Sequence, residues 1–465
     1  MFSEKTYSER RRQLKQLVKS GVIIFPGNKE VSFNYPANEY KFRQESSFLY
    51  YFGIDKSGLN AVIDIDEGRE IIFGDDFSLD DMVWMGDLPK LADQAKLVGI
   101  KEVQSENALA EFVLSAVNSK RKVHYLPQYR HDSINLLESL LGINHTAINK
   151  YASNNLIKAV VAQRSIKSDE EVAEIENAIE ISYVMNTYAM MATKPGIYER
   201  EISGVVEGIA LSMGEGISFP IIYSVHGETL HNHYHGNLMQ DGDIAVLDSG
   251  AESLLHYASD ITRTIPVNGK FSEKQKAIYN SVLNASNTAL SEIKPGVLFK
   301  DVHLKAVRTL AEGLKDLGIM KGDIDEAVKE GAHALFMPHG LGHMMGLDVH
   351  DMEGLGENFV GYNTEIKRSE QFGLAYLRLG RKLEPGFVLT VEPGCYFIPK
   401  LIEKWKSESK HIDFINYKEL ENYLDFGGVR IEDDVYVDFN GCRVLGKPIP
   451  KTVEDVENAC EGILK

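Results

Sequence analysis

Three observations on the sequence predict an α+β protein of two domains. The 465 residues exceed the length of one ordinary domain. Residues 1–160 alternate helix and strand patterns, which is typical of an α/β domain. Residues 161–465 begin with a long helical pattern and continue with strand-like segments that are rich in polar residues. We therefore expect an α/β N-terminal domain over 1–160 and a second domain over 161–465.

The composition is that of a globular protein, and the net charge argues against two classes of binding partner. Hydrophobic residues make up 43% and charged residues 25% of the chain, which allows a sizeable core. The formal net charge of −18 argues against nucleic acid and anionic membranes as partners. The sequence has no run of about 18 apolar residues and no segment like a signal peptide. Three cysteines without CxxC spacing are interpreted as reduced thiols, so we expect a cytoplasmic protein.

The first domain contains clear helix and strand patterns but no cluster of catalytic residue types. A charged helix is predicted near residues 4–19, followed by a short apolar strand in GVIIFPG. The segment NAVIDIDEGREIIFGDD alternates apolar and polar residues on both sides of residues 66–68, which predicts a hairpin. RKVHYLP is a further strand candidate.

A strong helix start lies at Ser168, close to the expected domain boundary. Ser168 followed three residues later by Glu171 is a capping box, and acidic residues fill the positive first turn. Apolar residues then recur at helical spacing until a Lys-Pro-Gly sequence at 194–196. We expect a helix from Ser168 to about Thr193.

Two aspartates lie in a β-rich segment, DIAVLDSGAESLLHYASDITRTIPV, at residues 243–267. Asp248 and Asp260 are symmetric about residue 254. A hairpin with that centre would place them opposite each other, with Cβ atoms roughly 4.5–5.5 Å apart. Two carboxylates at that distance repel each other unless a proton or a cation lies between them. Taken alone, the pattern also fits two surface aspartates at strand ends.

Three histidines and three glycines crowd the segment MPHGLGHMMGLDVHD, residues 337–351. His339 and His343 are four residues apart, as in HExxH, but no glutamate follows His339 and the glycines disfavour a helix. The segment is therefore predicted to be loop or strand, in which glycine lets the backbone approach an occupied site. A single histidine is usually a satisfied core or surface residue, but a third one at His350 favours a site.

Two glutamates are predicted to lie inside apolar strands. Glu392 lies in VLTVEPGCYF, and Glu432 lies in GGVRIEDDVYV, where it shares a strand face with Arg430. A charge on a buried strand face is costly unless it is paired or bound to a metal. On an edge strand the same glutamate would lie in water.

Together these segments offer two aspartates, two glutamates and a histidine. Four carboxylates and one imidazole are too rich in oxygen for a structural zinc site. They suit a harder ion, Mn²⁺ first, with Co²⁺, Fe²⁺ or Zn²⁺ as alternatives. Four carboxylates also exceed the charge that one divalent ion balances, so we expect two ions about 3.5–4 Å apart.

Nearly the whole chain resembles the pita-bread metallopeptidases of the aminopeptidase P and prolidase branch. The motifs LDSGAE, SDITRT, HGLGHMMGLDVHD, LTVEPG and VRIEDD occur in the family's order, and FRQESSFLYYFG resembles the branch's non-catalytic domain. The resemblance implies a pita-bread catalytic domain preceded by that non-catalytic domain. It also implies that two metal ions are bound by Asp248, Asp260, His343, Glu392 and Glu432.

The resemblance assigns roles to further residues. Glu392 would take the proton of the attacking water, and His339 and His350 match histidines near the substrate and the leaving group. His231, in LHNHYHG, matches another substrate histidine, and Arg430 matches an arginine beside the last metal glutamate. The resemblance also implies a homodimer or a larger homo-oligomer.

The resemblance leaves two classes of substrate open. Both branches cleave the bond before proline, a tertiary amide without an N–H group. An Xaa-Pro aminopeptidase, our first expectation, acts on longer peptides and needs no further contact. An Xaa-Pro dipeptidase must bind a free carboxylate after the proline, and Arg378 matches the prolidase arginine that does so.

A remote alternative is a metal-free protein of the same fold, either a binding module or a creatinase-type hydrolase. Both should lack several of the five ligands, and this chain has all five.

Overall fold

The computed structural model describes residues 1–464, which divide into two compact units. The first unit comprises residues 1–164 together with 353–359, and the second comprises residues 165–352 together with 360–464. Within the described residues, no helix is long and apolar enough to cross a membrane.

A five-stranded sheet forms the centre of the first unit. The helices and strands up to residue 164 are α1 (Glu4–Val18), β1 (Val22–Pro26), β2 (Ser32–Tyr35), β3 (Asn38–Glu39), α2 (Ser46–Phe52), β4 (Asn60–Asp64), β5 (Arg69–Phe73), α3 (Leu79–Met85), α4 (Leu91–Leu97), β6 (Glu102–Gln104), α5 (Ala108–Asn118), β7 (Val123–His124), α6 (His131–Leu141) and α7 (Asn154–Arg164).

The strand order of this sheet is β6-β5-β4-β1-β7, with β1 antiparallel to β4 and parallel to β7. The predicted helix near 4–19, both predicted strands and the β4–β5 hairpin are confirmed. Apolar side chains of the sheet pack against α5 and α6 and form the core of this unit.

The second unit is mixed, with long helices and several small antiparallel sheets. Its elements are α8 (Asp169–Ala192), α9 (Glu199–Met213), β8 (Gly216–Ile217), β9 (Ile222–Ser224), β10 (Ile244–Ser249), β11 (Ala251–Glu252), β12 (Ile261–Pro266), α10 (Glu273–Glu292), α11 (Phe299–Asp316), α12 (Ile324–Glu330), α13 (Glu357–Val360, which begins in the first unit), β13 (Val388–Val391), β14 (Gly394–Tyr396), α14 (Pro399–Ser407), α15 (Tyr417–Leu420), β15 (Gly428–Arg430), β16 (Asp433–Val437), β17 (Cys442–Val444) and α16 (Val453–Cys460).

The predicted start and end of α8 are confirmed. The Ser168 hydroxyl accepts the Glu171 N–H, and the Glu171 carboxylate accepts the Ser168 N–H, which completes the capping box. Thr193 caps the other end of the helix.

β10 and β12 form the predicted antiparallel hairpin, but its register differs from the expected one. Asp248 pairs with Thr262, so the centre is residue 255, midway between 248 and 262, and not 254. The turn residue His256 has a left-handed φ of 65°, as the third residue of a three-residue hairpin loop does. Asp260 therefore lies diagonal to Asp248 on the same face, and the expectation that they stand directly opposite was wrong.

Both glutamates lie at strand ends, so the expectation that they lie inside strands was also wrong. Glu392 follows β13 directly, and Glu432 lies between β15 and β16. The strand pairing stops there because each backbone N–H bonds elsewhere. Glu392 donates to the Leu341 carbonyl at 2.8 Å, and Glu432 donates to the Thr262 carbonyl at 3.0 Å.

Two histidines that are not among the predicted site residues are buried in the second unit. His303 on α11 and His333, which follows α12, have ring centroids 6.4 Å apart. Among the described residues, neither ring nitrogen of His303 has a hydrogen-bond partner. Burial lowers the pKa of His303 from 6.5 to about 3 and that of His333 to about 4. Both imidazoles are therefore neutral in the folded protein at neutral pH.

Acid should destabilise the second unit through these histidines. Below about pH 6.5 these two histidines bind protons in the unfolded chain but not in the folded protein. The difference persists down to about pH 4 for His333 and about pH 3 for His303. The free energy of unfolding should therefore fall by roughly 1.4 kcal/mol per pH unit for each histidine. Denaturant titrations between about pH 7 and 4.5 should show that His303→Leu removes that share of the slope.

The control is His131→Leu, which changes an exposed histidine and should leave the slope unchanged. A wild-type slope in His303→Leu would contradict the prediction.

Candidate active site

Three of the five predicted ligands converge in the core of the second unit. One ligand atom from each of Asp260, His343 and Glu432 lies within 4.8 Å of the other two, and all three residues are buried. Asp260 directly precedes β12, and Glu432 directly precedes β16. His343 lies on an irregular segment that is held to β13, because its carbonyl accepts the Thr390 N–H at 3.0 Å.

Asp248 on β10 is the fourth predicted ligand, and it is also buried. Its Oδ2 accepts a hydrogen bond from Arg430 Nη2 at 2.6 Å. Among the described residues, Asp248 Oδ1 and Asp260 Oδ1 are both buried without a hydrogen-bond partner. A buried carboxylate oxygen without a partner is costly, and a divalent cation bound by both oxygens would offset that cost.

Glu392 completes the set and is the most exposed of the five. Its side chain is 20% exposed. Oε1 lies 3.8 Å from His343 Nε2, and Oε2 lies 3.6 Å from His339 Nδ1. Glu392 therefore connects the buried ligands to the more open side of the site.

The carboxylates repel one another in a poorly solvated core. Burial raises the pKa of Asp260 and of Glu432 well above the usual range, and neighbouring carboxylates raise both further. Burial also raises the pKa of Glu392 to about 8, although the charge of Arg430 opposes this. Nearby cations would allow these groups to ionise together, so the residues fit divalent metal ions.

The ring of His343 is held in the tautomer that a metal ligand needs. Its Nδ1 lies 3.1 Å from the Met344 carbonyl, which only accepts, so Nδ1 carries the proton. Burial lowers the pKa of His343 well below its usual value, so the ring is neutral. The lone pair of Nε2 is then free, and this atom lies 3.4 Å from Asp260 Oδ2.

Arg430 on β15 orients two of the predicted ligands. It donates directly to Asp248, and its Nε donates to Thr262 Oγ1 at 3.2 Å. Thr262 Oγ1 in turn donates to Glu432 Oε2 at 2.7 Å. One guanidinium therefore fixes Asp248 directly and Glu432 through a threonine.

His339 belongs to a chain of hydrogen bonds that starts at Arg430. Arg430 Nη1 donates to the Tyr396 hydroxyl at 2.9 Å, and that hydroxyl lies 2.9 Å from His339 Nε2. His339 Nδ1 donates to the Gly340 carbonyl at 2.8 Å, so Nε2 accepts from Tyr396. Burial and the Arg430 charge lower the pKa of His339 to about 3, which keeps the ring neutral.

Sequence reasoning missed Thr262 and Tyr396. A signal for Thr262 was present, because Asp260, Thr262 and Thr264 are polar residues at alternate positions of one strand. Tyr396 has no such signal, since only the packing of β14 against β15 brings its hydroxyl to Arg430.

The remaining predicted residues also lie around this centre. The ring of His350 meets that of His343 edge-on, with centroids 4.3 Å apart. His231 follows β9, and partial burial together with the Arg430 charge lowers its pKa. Alongside burial, the charge of Arg378 contributes to the lowered pKa of His343, which places Arg378 within electrostatic reach of the ligands.

The glycines of the histidine-rich segment make room for the chain itself. A Cβ at Gly340 would lie 2.7 Å from Leu377, and one at Gly342 would overlap the Thr390 carbonyl. A Cβ at Gly346 would likewise meet neighbouring side chains. These glycines therefore allow close packing against the chain's own backbone and side chains. From the sequence we expected them to allow close packing against an occupied site.

Comparison with known families agrees with this geometry. The family model described as metallopeptidase family M24 matches residues 173–438, more than half of the chain. The chain belongs to metallopeptidase family M24. A second model, described as the aminopeptidase P N-terminal domain, matches residues 7–125. The family resemblance and the α+β pita-bread fold predicted from the sequence are therefore confirmed.

Relatives of this M24 chain match it over nearly its whole length. The rat Xaa-Pro dipeptidase is 34% identical and covers 97% of this chain and 92% of its own. A Sordaria macrospora protein named "Probable Xaa-Pro aminopeptidase" is 32% identical and covers 94% of this chain and 91% of its own. The solved structure of zinc-substituted Escherichia coli aminopeptidase P in complex with product is 27% identical, with a TM-score of 0.81, and covers 100% of this chain and 99% of its own.

Asp260→Asn should weaken metal binding in this M24 enzyme without weakening the metal-free fold. The amide keeps the shape and cannot ionise beside carboxylates that would repel its charge, so the melting temperature without metal should stay equal or rise. The stabilisation gained on adding metal should fall by at least roughly 1.4 kcal/mol, equivalent to a tenfold loss of affinity. Calorimetric scans with and without metal measure both quantities.

Asp433→Asn is the matched control. Asp433 is buried beside Glu432, but it pairs with Arg263 at 2.7 Å and Lys451 at 2.6 Å. Against the effect of burial, these cations hold its pKa below the usual range. Asp433→Asn should lower the melting temperature of the metal-free protein and keep metal affinity. The prediction would be contradicted if Asp260→Asn and Asp433→Asn lowered the melting temperature of the metal-free protein by the same amount.

Proposed function

We propose that this chain is a dinuclear metal-dependent peptidase that hydrolyses the bond between an N-terminal residue and a following proline. The observation that carries the proposal is the buried group of Asp260, His343 and Glu432, in which two mutually repelling carboxylates meet a neutral imidazole. Asp248 and Glu392 complete five ligands for two ions. Mn²⁺ is our first choice, because four of the five ligands are hard carboxylates.

The chain's own residues have distinct tasks in this proposal. When bound, the metal ions would polarise the substrate carbonyl and lower the pKa of a water molecule. Glu392 accepts the proton of that water, because it is the most exposed carboxylate of the five. His350 and His231 bind the substrate beside the ligands. Arg430 keeps Asp248 in place, and with Tyr396 it holds His339 neutral.

The relatives support a proline-directed peptidase, and Arg378 favours the dipeptidase over the aminopeptidase. Burial raises the pKa of Glu392 to about 8, and the charges of Arg430 and Arg378 oppose this rise. Arg378 is therefore within electrostatic reach of Glu392. A free carboxylate after proline would find its partner there. The rat relative named Xaa-Pro dipeptidase is 34% identical over nearly the whole chain.

The Xaa-Pro aminopeptidase is the second candidate. It is favoured by the likeness to the aminopeptidase P structure and by relatives of that name. We further propose that residues 1–160 are a non-catalytic domain, that residues 161–465 are catalytic, and that the protein is a cytoplasmic homodimer or larger homo-oligomer.

Removal of metal tests the dinuclear mechanism. Chelation should abolish hydrolysis of Xaa-Pro substrates, and Mn²⁺ should restore it, with activity levelling off at about two ions per chain. Elemental analysis and peptide hydrolysis, measured on the same samples, give the ratio. Full activity in a sample shown to be free of metal would reject the proposal.

Arg378→Ala distinguishes the two branches. If Arg378 binds the proline carboxylate, the variant should raise KM for Xaa-Pro by roughly 10- to 150-fold, the value of a charge-assisted hydrogen bond. Amidation of the dipeptide should have the same effect on the wild type, and the two changes together should cost little more than either alone. The loss for Xaa-Pro-Xaa should be much smaller.

The matched control is Arg368→Ala, which removes an exposed arginine at an earlier position of the same connection between α13 and β13 and should leave both KM values unchanged. Additive losses would show that Arg378 does not contact the carboxylate. A wild-type preference for Xaa-Pro-Xaa would favour the aminopeptidase.

A further inference from the structure

A short loop joins the metal ligand His343 to the substrate histidine His350. The first half of this loop is fixed by β13, since the His343 N–H donates to Thr390 Oγ1 at 3.2 Å and the Met345 N–H donates to the Val388 carbonyl at 3.0 Å. These bonds hold His343, but they do not reach His350. The second half of the loop carries His350 and is followed by Asp351.

A buried ion pair lies beside this half of the loop, next to His350 in the sequence. Asp351 Oδ2 lies 3.0 Å from Lys167 Nζ, and both side chains are only 1% exposed. Lys167 directly precedes the cap of α8, and its N–H donates to the Gly386 carbonyl at 2.8 Å. The cation therefore projects from the start of a long, well-anchored helix.

Gly346 leaves the space that this pair occupies. A Cβ there would lie 2.7 Å from Asp351 Oδ2 and 3.0 Å from Lys167 Cε. The Asp351 N–H donates back to the Met344 carbonyl at 2.9 Å, and the Ala258 N–H donates to the Gly346 carbonyl at 2.8 Å. The loop is thus folded tightly around the ion pair.

We propose that Lys167 and Asp351 are positioning residues that hold His350 against His343 for substrate binding and proton transfer. The inference rests on the proposed role of His350. A buried ion pair contributes little net stability, but a change in the loop that separated it would leave two charges unpaired in the core. The ion pair therefore favours the arrangement in which the two ring centroids lie 4.3 Å apart. Such a fixed geometry matters because small displacements of a reacting group strongly lower the rate.

The test is the double variant Lys167→Met/Asp351→Asn, which removes both charges and leaves neither unpaired. We expect kcat to fall by at least roughly tenfold. The metal dissociation constant should stay within about threefold, because β13 holds His343 independently. In a His350→Ala background the same double change should alter kcat by less than about threefold, since the group that it positions is already absent.

The matched control is Lys305→Met/Glu292→Gln, which removes a surface ion pair of 2.6 Å in the same unit. Exposed pairs contribute little, so kcat should not change. Wild-type kcat in the Lys167→Met/Asp351→Asn variant, additive losses with His350→Ala, or loss of metal would each overturn the inference.

A crystal structure of the metal-loaded double variant gives a readout that does not depend on activity. We expect the centroids of His343 and His350 to separate by about 1 Å or more, and an unchanged separation would overturn the inference. If His350→Ala keeps full kcat, the proposed role of His350 fails, and the separation still shows whether the ion pair positions the ring.

Discussion

The mutual repulsion of buried carboxylates is the constraint on which the rest of this structure depends. Asp248, Asp260 and Glu432 lie in a core from which water is largely excluded, and Glu392 lies at its edge. A core of this kind favours neutral groups, as the raised pKa of Asp260 and of Glu432 shows. The fold tolerates the cluster only where positive charge reaches it.

Positive charge reaches the cluster in two different ways. Arg430 is a permanent cation that donates to Asp248, and it reaches Glu432 through Thr262. Asp248 Oδ1 has no hydrogen-bond partner among residues 1–464, and a metal ion of the kind that the family binds would fit there. A guanidinium orients the ligands, and the metal ions would balance the remaining charge, so neither substitutes for the other.

Much of the fold and of the site was visible in the sequence. The capping box at Ser168 is a local interaction within four residues, and the helix that follows it was predicted to within about a residue at each end. The hairpin was also predicted, but its centre was placed one residue too early because the conformation of a turn residue, His256, is not encoded in the alternation of the strands. Tyr396 was missed for a related reason, since its hydroxyl enters the site through the pairing of β14 with β15.

The sequence by itself determined the family, the helix that begins after Ser168 and the residue types of the candidate site. Those properties depend on residue type and on spacing within one segment. Only the tertiary structure decided which atoms meet. Asp260 and Glu432 belong to segments far apart in the chain, and His343 faces them with a free Nε2 because a backbone carbonyl holds its other nitrogen. Contacts of this kind depend on register and packing between segments, which no periodicity within a single segment specifies.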